Sequence, residues 1–208
     1  MSGNTTDDVI TLDHLDLLLS KIFHDLISPV SAARNGLELV REFSGDEVGS
    51  DAIELVEQSV GQAADRLTFF RMAFGGAGSG GGLDARMAAR LTKDYLAGRK
   101  IETDISNWPA DPNPDGVMKV VLQTAALAAD CLPRGGTIRV VAQPGGCRVI
   151  AEGKGAAVPV AMSAALKAPV AAQLSSDTVL ADTARITAAR FTVKVRVSAE
   201  VAGFDLSW

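Results

Sequence analysis

The run Gly75-Gly76-Ala77-Gly78-Ser79-Gly80-Gly81-Gly82 constrains the fold more than any other stretch of the chain. Glycine surrenders the most backbone entropy on ordering, so neither a helix nor a strand is expected there. A phosphate cradle would end in Gly-Lys-Ser/Thr behind a strand, and the run has neither feature, so it reads as a flexible linker. The expected division is residues 1–76, a linker at 77–82, and residues 83–208. At 208 residues and 47% hydrophobic, the chain is long enough for two real cores.

Residues 9–43 and 47–74 carry two long helical patterns joined by Ser44-Gly45-Asp46, a short polar turn suited to antiparallel helices. At about 100° per residue, Leu12, Leu15, Leu19, Ile22, Leu26, Ala33, Leu37 and Val40 share one apolar stripe on the first helix. The second repeats Val48, Ala52, Leu55, Val56, Ser59, Ala63, Leu67, Phe70 and Phe74 at three- and four-residue steps. Two helices cannot cover both stripes by themselves. A four-helix bundle made by two chains covers them, which predicts a homodimer. Pro29 removes a backbone hydrogen bond inside the first helix and is expected to kink it.

Beyond the linker the pattern becomes mixed. Asp84 to Gly98 reads as a helix between a good N-cap and a good C-cap, followed by a strand from Lys100 to Ile105. Residues 114–132 form a helix led by Pro114, and 137–142 with 147–151 form a hairpin about Pro144-Gly145-Gly146. Residues 177–190 are helical, and Phe191 to Ser198 alternates strictly between apolar and polar residues, the mark of a half-buried strand. Val201 to Trp208 reads as a final strand packing Phe204, Leu206 and Trp208, while Trp108 anchors a proline-rich loop against the sheet. The expectation is a helical hairpin followed by a helix-covered antiparallel or mixed sheet, an α+β chain.

His24 is the residue with the clearest chemical potential. With Ile22 at zero, the apolar stripe centres near about 45° and His24 falls near about 200°, among Asp13, Ser20, Ser28, Ser31, Asn35 and Glu42. An exposed neutral imidazole is a nucleophile. His14 is also off the stripe and reads as an ordinary surface histidine. A net charge of −5 with dispersed cations argues against nucleic acid as a partner. No apolar run reaches the roughly 20 residues of a membrane span, and the polar start Met1 to Asp8 is unlike a signal peptide, so a cytoplasmic protein is expected. Cys131 and Cys147 lack companions at metal spacing and read as buried free thiols.

His24-Asp25-Leu26-Ile27-Ser28-Pro29 on the first helix of a hairpin resembles the phosphoacceptor box of sensor histidine kinases, in which an acidic residue follows the histidine and proline comes five positions on. The second half then resembles their ATPase-like α/β sandwich, with Pro133-Arg134-Gly135-Gly136-Thr137 as the anchor of the alignment. The nucleotide chemistry does not survive. The helix asparagines expected of a kinase fall at Gln123 and Leu127, and Leu127 cannot hold a magnesium ion. Glu152-Gly153-Lys154-Gly155 keeps the glycine spacing of an adenine box, but its aspartate falls at Ala151.

An intact histidine on a stripped kinase body is similar to the ChpT-type histidine phosphotransferases of the bacterial cell-cycle phosphorelay. Asn35-Gly36-Leu37-Glu38-Leu39, Arg71-Met72-Ala73-Phe74-Gly75 and Leu132-Pro133-Arg134-Gly135-Gly136 extend the likeness along nearly the whole chain. The resemblance implies a homodimer that relays phosphate from the receiver domain of a CckA-like hybrid kinase to CtrA-like and CpdR-like response regulators. It implies His24 as phosphoacceptor, no cofactor or metal held by this chain, and Mg2+ carried by the partner receiver. Asp25 is placed to orient or polarise the imidazole. Lys21 and Ser28, one turn to either side, contact the receiver or the transferred phosphate, or simply face solvent. An active kinase with an unusual nucleotide site and a non-catalytic receiver-binding regulator are the competing readings.

Overall fold

The structure is a computed structural model that describes residues 10–43, 47–76, 82–110, 116–167 and 174–208. The expected turn at 44–46, residues 77–81 of the linker, and Pro114 lie outside the described residues. Two long helices open the chain, α1 (Leu12–Glu42) and α2 (Glu47–Ala73). Thr11 caps α1 by accepting the His14 backbone N–H at 3.2 Å. The two pack closely through small residues: a Cβ on Gly36 would lie 2.8 Å from Val56 Cγ2 and 3.3 Å from the Ala52 carbonyl.

The apolar stripe of α1 proves to be two faces. Leu18, Pro29, Ala33 and Gly36 are buried, whereas Leu12, Leu19, Phe23, Ile27, Val30 and Leu37 are exposed on the single chain. On the angular scale used above, the buried set centres near about 340° and the exposed set near about 85°. The expected stripe averages the two and so misplaces the inward direction by about 65°, two-thirds of one residue's rotation.

His14 therefore departs from its expected surface position. It is 3% exposed, with Nε2 2.8 Å from Thr183 Oγ1 and Nδ1 3.2 Å from Asp182 Oδ2. Its partners come from a distant part of the chain, and burial is tolerated because both ring nitrogens meet polar atoms.

The remainder consists of α3 (Ala85–Ala97), β1 (Ile101–Asn107), α4 (Val117–Asp130), β2 (Gly136–Gln143), β3 (Gly146–Glu152), α5 (Val160–Lys167), α6 (Val179–Arg190), β4 (Lys194–Val197) and β5 (Gly203–Ser207). The strands form one mixed sheet in the order β1-β2-β3-β5-β4, parallel only between β1 and β2. Every residue from Val117 to Ala129 is buried, because α4 touches β2, β3 and β5 as well as α2, α3 and α6. A helix this apolar has to be enclosed in this way, and its polar side chains Lys119, Gln123 and Thr124 are buried with hydrogen-bond partners. The Asp84 cap, the β2–β3 hairpin and the packing of Phe204 and Leu206 agree with the sequence reading.

Two elements differ. The strand expected from Phe191 begins only at Lys194, because Phe191 closes α6 and Thr192 turns the chain with φ of 59°. Gly98 caps the end of α3 as expected, although its φ of −86° is not the left-handed glycine turn. Helix α5, an eight-residue apolar segment, is not expected from sequence.

Candidate functional site

Lys21, His24, Asp25 and Ser28 sit on consecutive turns of α1, on the side away from its exposed apolar face. The His24 side chain is 85% exposed, whereas Asp25 beside it is only 13% exposed. His24 Nδ1 lies 3.6 Å from Asp25 Oδ1, too long for a good hydrogen bond but close enough for the carboxylate to polarise the ring. Ser28 is exposed one turn further on, and Lys21 stands at the edge of a cleft it shares with Asp130, Pro133, Pro159, Met162 and Asp177. The four expected residues therefore share one surface. His24 and Asp25 are in direct contact, and Lys21 and Ser28 flank them.

Asp25 is held by residues that carry no local signal in the sequence. Arg99, between α3 and β1, donates Nη2 to Asp25 Oδ2 at 2.8 Å. Arg66 of α2 donates Nη1 to the Asp25 backbone carbonyl at 2.6 Å. The Arg99 guanidinium also stands 4.6 Å over the ring of Tyr95, which stacks on Phe69 at 3.9 Å with planes 10° apart. Burial pushes the Tyr95 hydroxyl well above its usual range, so the ring beneath Arg99 stays neutral. Burial lowers Arg66, as does the neighbouring charge of Arg99, while Asp25 opposes the fall. Burial alone would lower Arg99, but the carboxylates of Asp25 and Asp130 and the Asp25 hydrogen bond raise it on balance. Only a signal linking residues 41 and 74 positions apart could have pointed to this pair.

The residues that replace a nucleotide site are spent on packing. Gln123 Nε2 donates to the Ala73 carbonyl at 2.7 Å and to Thr187 Oγ1 at 3.2 Å, while Lys119 Nζ donates to the Gly75 carbonyl at 2.6 Å. Together they satisfy carbonyls left open at the end of α2. Leu127 is 1% and Ala151 3% exposed, both within the hydrophobic core. Among the described residues, no group of three His, Cys, Asp or Glu side chains is placed to hold a metal ion. Nor is any described helix long and apolar enough to cross a membrane.

Residues 85–203, more than half of the chain, match the family model of the histidine phosphotransferase C-terminal domain. The chain belongs to the histidine phosphotransferase family. Over 137 residues this family member is 39% identical to Protein phosphotransferase ChpT of Brucella abortus (strain 2308). That match spans 63% of this chain and 63% of the curated relative's length. A solved bacterial phosphotransferase, determined at 1.7 Å, shares the fold with a TM-score of 0.75 at 28% identity, over 96% of this chain and 97% of that one. At that coverage the match takes in this chain's helical hairpin as well as its sheet.

Proposed function

We propose that this histidine phosphotransferase acts in a bacterial phosphorelay with His24 as its phosphoacceptor, taking phosphate from the receiver domain of a CckA-like hybrid kinase. CtrA-like and CpdR-like response regulators are the expected acceptors. The observation that carries the reading is an imidazole 85% exposed on a helix whose next residue is clamped from two sides. Phosphoryl transfer asks little covalent chemistry of the protein beyond positioning and charge neutralisation. A His24 nitrogen attacks the phosphorus of the receiver's aspartyl-phosphate, the bond from phosphorus to the aspartate oxygen breaks, and the free carboxylate departs. Attack by the aspartate of a second receiver reverses the sequence. Mg2+ on the receiver offsets the phosphoryl charge, and Asp25 stabilises the ring as it becomes cationic.

ATP takes no part in this reading, which the packing of Gln123, Leu127 and Ala151 into the core supports. The homodimer is part of the proposal too. Leu12, Leu19, Phe23, Ile27, Val30 and Leu37 leave an apolar strip along α1, and Ile53, Val60 and Leu67, spaced seven residues apart, do so along α2. A contiguous face of this kind is more than a soluble monomer ordinarily leaves wet. Lys21 and Ser28 flank the histidine as receiver contacts, and the protein is placed in the cytoplasm with its receivers.

The experiment is a His24→Ala comparison with affinity and transfer measured on the same samples. Affinity for the phosphorylated receiver is expected to stay within about twofold while transfer disappears, since the ring reacts but contributes only a small part of the docking surface. A variant that still passes phosphate would overturn the assignment, and a wild type that binds but never transfers would make the chain a non-catalytic binder.

A further inference from the structure

Pro29 carries no N–H, so the carbonyl four residues earlier, that of Asp25, is denied its helical donor. Helix α1 nevertheless runs from Leu12 to Glu42 without a break. The missing donor is supplied from outside the helix, by Arg66 Nη1 at 2.6 Å. The side chain of the same residue is held separately by Arg99 Nη2 at 2.8 Å, in a pair whose members are only 19% and 13% exposed. One guanidinium from α2 thus fixes the backbone of the residue after His24, and another, from the loop after α3, fixes its carboxylate.

We propose that Arg66 and Arg99 are positioning residues for the phosphoacceptor, with Arg66 standing in for the N–H that Pro29 cannot provide. The inference rests on His24 being the phosphoacceptor. A helical turn that lacks one backbone bond is locally deformable. Beside His24, that looseness would spread the imidazole over several orientations, and in-line transfer is lost quickly when the reacting atoms are misplaced. Arg66 closes the turn without restoring a regular helical bond. Arg99 sets where the Asp25 carboxylate lies, and Asp25 is 3.6 Å from the His24 ring. Neither arginine touches the transferred group; both act through Asp25.

The test is a cycle of substitutions in the full chain. Arg66→Met is expected to lower kcat for transfer from the phosphorylated receiver by about tenfold, with KM changed less than about twofold. Adding Pro29→Ala, which returns an N–H to the helix, is expected to recover most of that loss. Arg99→Gln is also expected to lower kcat, and Pro29→Ala does not rescue it, because the restored N–H serves the carbonyl and not the carboxylate. Equal losses for Arg66→Met with and without Pro29→Ala, rescue of Arg99→Gln, or an effect confined to KM would each overturn the proposal. Amide hydrogen exchange of Leu26 to Ser28 reads the same turn without any transfer. Faster exchange in Arg66→Met that Pro29→Ala reverses supports the positioning role, and unchanged exchange refutes it. Failure of the wild type to transfer phosphate would remove the phosphoacceptor reading, while the exchange experiment still judges the helix turn.

Discussion

Replacing His14 with alanine tests how the hairpin is fastened to the rest of the molecule. The ring is buried and bridges Thr183 Oγ1 at 2.8 Å and Asp182 Oδ2 at 3.2 Å, joining α1 to α6. Loss of a hydrogen bond to a neutral hydroxyl costs about 1 kcal/mol, and loss of one to a charged partner about 1.5–3 kcal/mol. Asp182 keeps Arg185, at 3.0 and 2.8 Å, so it is not left as an unpaired buried charge. The expected destabilisation is therefore about 2.5–4 kcal/mol at neutral pH. Urea unfolding followed by circular dichroism measures it, provided the slope with denaturant is unchanged. A change within about 0.5 kcal/mol, the range of ordinary surface sites, would refute the latch. The pH dependence adds a second check. Burial pushes the Asp182 carboxyl up, but hydrogen bonds and charge from His14 and Arg185 outweigh it and hold the group below its usual 3.8. A carboxyl with a lower value folded than unfolded stabilises above the unfolded value and loses that contribution as pH falls through the folded one. The penalty for Asp182→Asn is accordingly expected to be full at pH 7 and to fade as pH drops below 3.8.

Burial pushes the Cys131 and Cys147 thiols up to about 12, so neither is expected to react with iodoacetamide in the native protein at pH 8, and both should react in urea; mass spectrometry of the alkylated chain decides. Gly36→Val places side-chain atoms against Val56 and the Ala52 carbonyl, and overpacking of this kind is expected to cost about 1–3 kcal/mol in chemical unfolding. Leu37→Glu puts a charge on the exposed apolar strip of α1 and is expected to shift the protein from dimer to monomer in sedimentation, while an unchanged mass would count against the two-chain bundle.

The parts legible in the sequence are those governed by local pattern. Alternation and turn residues locate the β2–β3 hairpin, Asp84 marks the start of α3, and the offset of His24 from the apolar residues announces its exposure. His14 misleads because Asp182 and Thr183, which justify its burial, lie nearly the whole chain away. The same distance hides Arg66 and Arg99. Pro29 advertises a missing donor, but not which side chain replaces it. The width of the α1 stripe is visible, yet its division into one face against α2 and another left exposed depends on how the helices dock. Strand β4 is overextended in the sequence reading because the alternation from Phe191 onward satisfies a strand pattern, while the end of α6 claims Phe191 and Thr192 for a turn.

The proposed relay requires that His24 receive phosphate from a receiver and not from ATP. The most direct measurement incubates the purified chain with a labelled phospho-receiver from its hybrid kinase, and in parallel with labelled ATP alone, and follows acid-labile label on wild type and His24→Ala. Label acquired only from the receiver, and only when His24 is present, is the predicted result; label taken directly from ATP, or retained by His24→Ala, would contradict it.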